Sequence, residues 1–241
     1  MINKHATPQE IATFLDKTLF NIQKPGRYVG GEFNQIIKDW NSTSVKTVLA
    51  FPDVYEIGFS NLGLNILYDE INKESTFLAE RCFSVWGDME LTMRNSNIPL
   101  FSLETKHPVS SFDVLGISLP YESLYTNTLN ILDLSGIPIY RKQRKDTDPL
   151  VLAGGHATFN PTPMSAFIDA FVIGDGENIF VQLLHIVAEG LSREKTLEKI
   201  SKLESVYVPS FYDPQKYFIS PEKSRKSIIK NIVQQLPPSP E

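Results

Sequence analysis

The stretch "FDVLGISLP", Phe112 to Pro120, is apolar on both of its faces and runs directly into "YESLYTNTLNILDLSG", a helical pattern closed by Gly136. A strand with one wet face alternates apolar and polar residues. One without alternation must be covered on both sides, as central strands of parallel sheets are. The same succession recurs along the chain. "VKTVLAF" precedes "NLGLNILYDEIN", whose Leu62, Ile66, Leu67 and Ile71 are expected to line one face. "IPLFSLE" reads as a second strand and "PLVLAGG" as a fourth, while "DAFVIGDGENIFVQLLHIVAEG" gives a fifth strand with its helix. Strand then helix, repeated, predicts a doubly wound α/β domain, a parallel sheet of about five strands with helices on both faces.

The flanks read differently. "TPQEIATFLDKTLF" offers Thr7 as N-cap and Pro8 in the first turn, with Ile11, Phe14, Leu15 and Leu19 at helical spacing. Glycine-rich "KPGRYVGGE" follows, so residues 1–44 are expected to form a helical arm ahead of an α/β domain at 45–190. Residues 191–241 read as a helix and then a linker ending in the proline-rich "QQLPPSPE".

Composition removes several classes of function. A net charge of -5 gives no electrostatic reason to expect nucleic acid as the main partner. With Cys82 as the only cysteine, the chain has no intramolecular disulfide, no cysteine cluster for zinc and no set of thiolates for an iron–sulfur cluster. No apolar run approaches the ~20 residues of a membrane helix. The opening "MINKHATPQE" lacks the apolar core of a signal peptide, so the expected location is the reducing cytoplasm.

In open parallel sheets ligands bind beyond the carboxyl ends of the strands, so the loops that follow strands are the informative ones. "FPDVYEIGFSN" carries Asp53, Tyr55, Glu56, Gly58 and Ser60, with Asp53, Tyr55 and Gly58 spaced as D-x-Y-x-x-G. These residues could hold a ligand; equally, Asp53 could close an Asx turn and Tyr55 pack over the sheet edge. "SLPYES" offers Ser118, Tyr121 and Glu122, as ligand contacts or as strand and cap residues. In "GGHATFNPTP" the pair Gly154 and Gly155 either makes room for a ligand or turns the chain, with His156 at the rim. "GDGENIF" places Gly174, Gly176 and Glu177 at a helix start, where Glu177 can act as cap or face a ligand. The G-x-G-x-x-G, G-x-x-x-x-G-K-[ST] and G-x-S-x-G patterns are all missing, which argues against dinucleotide binding, phosphate-loop hydrolysis and a serine nucleophile.

Taken in order, "KPGRYVGGE", "FPDVYEIGFSNLGLNILY", "AERCFSVWGDME", "IPLFSLE", "FDVLGISLPYESLYTN", "GGHATFNPTP", "FVIGDGE" and "VYVPSFY" resemble the N-terminal half of radical S-adenosylmethionine proteins that carry a cobalamin-binding-type domain. The resemblance implies a Rossmann-like or flavodoxin-like fold and a cobalamin site built from the strand-end loops. Such domains use D-x-H-x-x-G, in which the histidine ligates cobalt. Here Asp53 and Gly58 match, Gly154 and Gly155 match a later glycine pair, and Tyr55 replaces the histidine, so cobalamin would bind without histidine ligation. The family continues into a barrel whose cysteine loop holds the iron–sulfur cluster and S-adenosylmethionine. This chain is therefore expected to be a fragment, a split-gene product or an isolated domain, inactive alone. Its partner would be a radical SAM domain, to which it presents a corrinoid or a substrate for methyl transfer. A cofactor-free module shaping the substrate entrance of that barrel is the rival expectation, and a flavin-binding flavodoxin-type domain a third.

Overall fold

The computed structural model describes residues 2–212, so the expected proline-rich linker lies outside the described residues. The chain opens with helix α1 (Pro8–Thr18), which carries a capping box. The Thr7 hydroxyl accepts the Glu10 N–H at 3.2 Å, and the Glu10 carboxylate accepts the Thr7 N–H at 2.7 Å. A cap of this kind contributes about 1 kcal/mol. Ile11, Phe14, Leu15, Ile22 and Tyr28 of this N-terminal portion belong to the same apolar core as the sheet.

Then follow β1 (Val45–Phe51), the short α2 (Tyr55–Gly58), α3 (Leu62–Lys73), β2 (Phe77–Phe83), α4 (Gly87–Asn95), β3 (Val114–Ser118), α5 (Tyr125–Leu134), β4 (Leu150–Gly154), β5 (Ala170–Val172), α6 (Glu177–Val187), α7 (Arg193–Ile200) and β6 (Val206–Tyr207). The six strands lie in the order β2-β1-β3-β4-β5-β6. β1 to β5 are parallel, and β6 returns antiparallel to β5 through Phe171↔Tyr207 and Val172↔Val206. The α/β architecture is as expected, with one more strand. Crossovers between parallel strands are right-handed, which sets α3 over one face and α4 and α5 over the other, and α6 packs beside α3. Across the second face Arg94 of α4 donates to Asp133 at 2.7 Å and Asn130 donates to Glu90 at 2.9 Å. Far from the strand ends discussed below, Asp169 accepts Arg144 at 2.9 Å and Arg193 at 2.6 Å, which ties α7 to the start of β5.

Two expectations are corrected by the packing. "IPLFSLE" is not a strand: Phe101 makes only an isolated bridge to Pro108. The second strand is instead "FLAERCF", buried throughout although Glu80 and Arg81 stand at its centre. Arg81 is tolerated there because Glu104 answers it at 2.7 Å, both side chains being fully buried, and because its guanidinium lies 4.2 Å from the centre of the Tyr68 ring. Segment 98–108 lies along the outside of β2, where Leu103 N–H donates to Arg81 O at 2.7 Å and Arg81 N–H to the Glu104 carboxylate at 2.7 Å.

The second correction concerns α3, which buries Leu64, Tyr68, Ile71 and Asn72 rather than the stripe through Leu62 and Ile66. Leu62 is 72% exposed. A polar residue takes the place that periodicity gave to apolar ones. The Asn72 carboxamide donates to Tyr68 O and Ala79 O, both at 3.0 Å, and accepts the Ala79 N–H at 3.1 Å, joining α3 to β2.

Candidate functional site at the strand ends

Because β1 to β5 are parallel, the loops that follow them share one edge of the sheet. The reversal of strand order between β1 and β3 opens a crevice there, the usual ligand position of this architecture. The structure divides the expected site residues into two groups. One is packed shut, and the other borders a cleft.

The loop after β1 is packed. Asp53 accepts the Val54 N–H at 2.7 Å, and its own carbonyl accepts the Ser84 N–H at 3.0 Å, pinning the loop to the end of β2. The Tyr55 hydroxyl donates to Glu32 at 2.5 Å, and the ring lies against Phe59 and edge-on to Phe83. Burial first, and then Glu32, push this phenol up to about 12, so it remains neutral across the physiological range. Glu56 is held by Arg27 at 2.9 Å and Lys24 at 3.0 Å, and the Arg27 hydrogen bond leads in drawing its carboxyl down to about 2. Ser60 donates to Ile57 O at 3.0 Å. A Cβ on Gly58 would stand 2.5 Å from Phe83 Cδ1 and 2.8 Å from Phe51 Cβ. The polar detail of this loop thus anchors the N-terminal segment, and its glycine lets two phenylalanines close over the turn.

The loops after β3, β4 and β5 behave otherwise. Between their glycines, the sheet, α3 and α6 lies a cleft of about 200 Å³. Leu49, Gly116 and Phe180 form its floor, Leu64 and Leu67 one wall, and Ser118, Gly154 and Gly155 another. Gly174, Asp175, Gly176 and Glu177 make the mouth. A Cβ on Gly174 would meet nothing within 4 Å, so this glycine faces open space; its φ of +98 also suits only glycine. Gly155 has a different cause: at φ +108 a Cβ would lie 2.7 Å from Leu119 O, where the chain crosses back over β3.

Tyr121, Glu122 and His156 sit on the same edge but do not line the cleft. All are exposed, and His156 tilts against Phe159 with ring centres 5.5 Å apart. Neither Glu122 nor Glu177 makes a cap hydrogen bond; Glu177 occupies the first position of α6 and reaches the cleft instead. Gly63, Gly116 and Phe180 were not anticipated as lining. A signal existed for Gly116, since a glycine inside a buried strand marks close approach. A Cβ on Gly116 would meet Phe180 Cζ at 2.9 Å, so its absence lets that ring come close to the sheet.

Among the described residues there is no group of three or more histidine, cysteine or acidic side chains able to hold a metal ion, and no helix long and apolar enough to cross a membrane. Cys82 is fully buried, and burial pushes its thiol well above the usual range.

Comparison with known proteins places the chain. It is 24% identical over 165 residues to an uncharacterized protein of Methanocaldococcus jannaschii, a match covering 66% of this chain and 31% of that protein. The chain therefore spans about a third of the length of this curated relative. No solved structure matches it. Residues 63–209, which include every strand end bordering the cleft except that of β1, match the N-terminal domain of radical SAM proteins, and the chain belongs to that family.

Proposed function

We propose that this chain is the ligand-presenting module of a radical SAM protein, and that its strand-end cleft seats the ring-bearing tail of a corrinoid. The observation that carries the reading is the cleft itself: an apolar, glycine-bordered space of about 200 Å³ at the switch point of the sheet. A cavity of ~150 Å³ already admits a benzene ring, so a bicyclic ring fits this one. Leu64, Leu67 and Phe180 would sandwich the ring, and Ser118 would offer it a hydrogen bond. When bound, a corrinoid supplies methyl-carrying chemistry. Tyr55 does not fit the part of an axial ligand, because its hydroxyl is engaged by Glu32 and lies outside the cleft. The chain's residues do not fit an iron–sulfur cluster either, since a single buried thiol cannot hold one. Cluster and S-adenosylmethionine belong in this reading to a partnering radical SAM domain, with methyl transfer as the joint reaction.

The test is retention. Protein mixed with hydroxocobalamin and desalted is expected to keep corrinoid absorbance, and to lose it when cobinamide, which lacks the tail, is used instead. Equal retention of both, or of neither, defeats the reading.

A second reading has its own observation. Ile57 in α2, Leu62 at the start of α3, Tyr121 after β3 and Phe159 after β4 are 47%, 72%, 40% and 37% exposed, an apolar rim on the strand-end edge. Such a rim suits a docking surface, here for the cysteine-bearing domain. Co-expression with a radical SAM domain from the same genomic neighbourhood should yield a complex that Leu62→Glu weakens; a complex indifferent to that change would place the contact elsewhere.

A further inference from the structure

Resting on the reading that the cleft seats a ring, we infer that the ring it accepts is uncharged or cationic, and that a doubly charged phosphate monoester carried on the sugar beside that ring is rejected at the mouth, where the singly charged phosphodiester of a corrinoid tail is tolerated. The residues with polar side chains that line the cleft are Ser118, Asp175 and Glu177, while no lysine, arginine or histidine lines it. Neither carboxylate forms an ion pair among the described residues. The one positive influence close by is the amino end of α6, and Glu177 at its first position already answers that partial charge. An entering phosphate would therefore meet two acidic residues at the mouth, with no cation among the lining residues to offset them. A ring N–H or an exocyclic amine would instead find two free acceptors.

The geometry separates this site from phosphate-binding versions of the same architecture. There a glycine-rich turn offers backbone N–H groups and a nearby cation to the anion. Here Gly174 and Gly176 are present, but the side chains between and after them are acidic. The glycines clear space for the ring, and the carboxylates select what enters.

The experiment uses pairs of ligands that share a ring. Binding to the purified chain is measured by calorimetry for adenosine against adenosine 5′-monophosphate, and for benzimidazole against the cationic 2-aminobenzimidazole. Gly63→Leu, which places a side chain at the cleft wall, serves as the blocking variant; circular dichroism checks that each variant remains folded. Adenosine is expected to bind about tenfold or more tighter than its monophosphate at low salt. The amine-bearing ring should exceed its parent, and Gly63→Leu should abolish all of these signals. Asp175→Asn combined with Glu177→Gln should bring adenosine and its monophosphate to within about twofold of each other, as should high salt. Equal affinity for the two in the native chain, or a gap that the double variant leaves intact, overturns the charge selection while the cleft stands. Absence of ring binding altogether, or binding that Gly63→Leu does not touch, overturns the cleft reading and this inference with it.

Discussion

The loop after β1 and the loops after β3 to β5 are written in similar residues and do opposite things. Both are rich in glycine, acidic residues and a hydroxyl group. At Gly58 a methyl group would strike Phe51 and Phe83, whereas at Gly174 it would meet nothing. Glu56 is engaged by two cations, whereas Asp175 and Glu177 face a cleft. A glycine in a strand-end turn is therefore ambiguous on its own. It can let the protein's own side chains close over the backbone, or leave room for something else, and only its neighbours decide.

Substitutions sharpen that contrast. Gly58→Val should cost most, about 1–3 kcal/mol of overpacking against two buried phenylalanines, read as a lowered urea midpoint with unchanged slope. A neutral result would mean that the first loop is not closed. Tyr55→Phe should cost about 1 kcal/mol by freeing Glu32, and it should also alter the alkaline limb of stability. The phenol's folded value of about 12 exceeds its ordinary value of 10. The folded state thus holds the proton more tightly, so stability is retained below pH 10 and falls as pH rises toward 12. Denaturation at pH 8 and pH 11 checks this: native protein should lose more than Tyr55→Phe does.

Gly63→Leu should leave stability within about 1 kcal/mol of native, or raise it through helix propensity, while abolishing ligand binding. That pairing of intact fold with lost binding is what the first loop cannot show. Glu56→Gln should be mildest, a few tenths of a kcal/mol for an exposed pair. Its folded value near 2 lies below the ordinary 4.5, so its contribution is present above pH 4.5 and lost as pH falls toward 2. Carbon-detected titration of the side chain would expose an error in this placement directly.

Much of the fold was legible because β1, β3 and β4 are apolar on both faces and because β1, β3 and β5 are followed by helical patterns. β2 was not, since "ER" in mid-strand reads as exposed, and the compensation comes from Glu104, some twenty residues away. The face of α3 was misjudged because Asn72 is buried by bonds to a strand that sequence periodicity cannot see. Of the expected site residues, those after β3, β4 and β5 border the cleft through Ser118, Gly154, Gly155, Gly174, Gly176 and Glu177. Of those after β1, Tyr55 and Glu56 are bound to the N-terminal segment, whose path no local spacing reveals, while Asp53, Gly58 and Ser60 close on the turn itself and on β2. Phe180 escaped notice because it matters through Gly116, a contact made only when sheet and helix meet.

The flanks of the sheet carry one last implication. Along β2 the backbone is already spoken for by Leu103 and the Glu104 side chain, and at the opposite margin β6 is only two residues long. Among the described residues, both borders of the sheet are thus short or already bonded, the form in which edges give sideways strand addition little to build on.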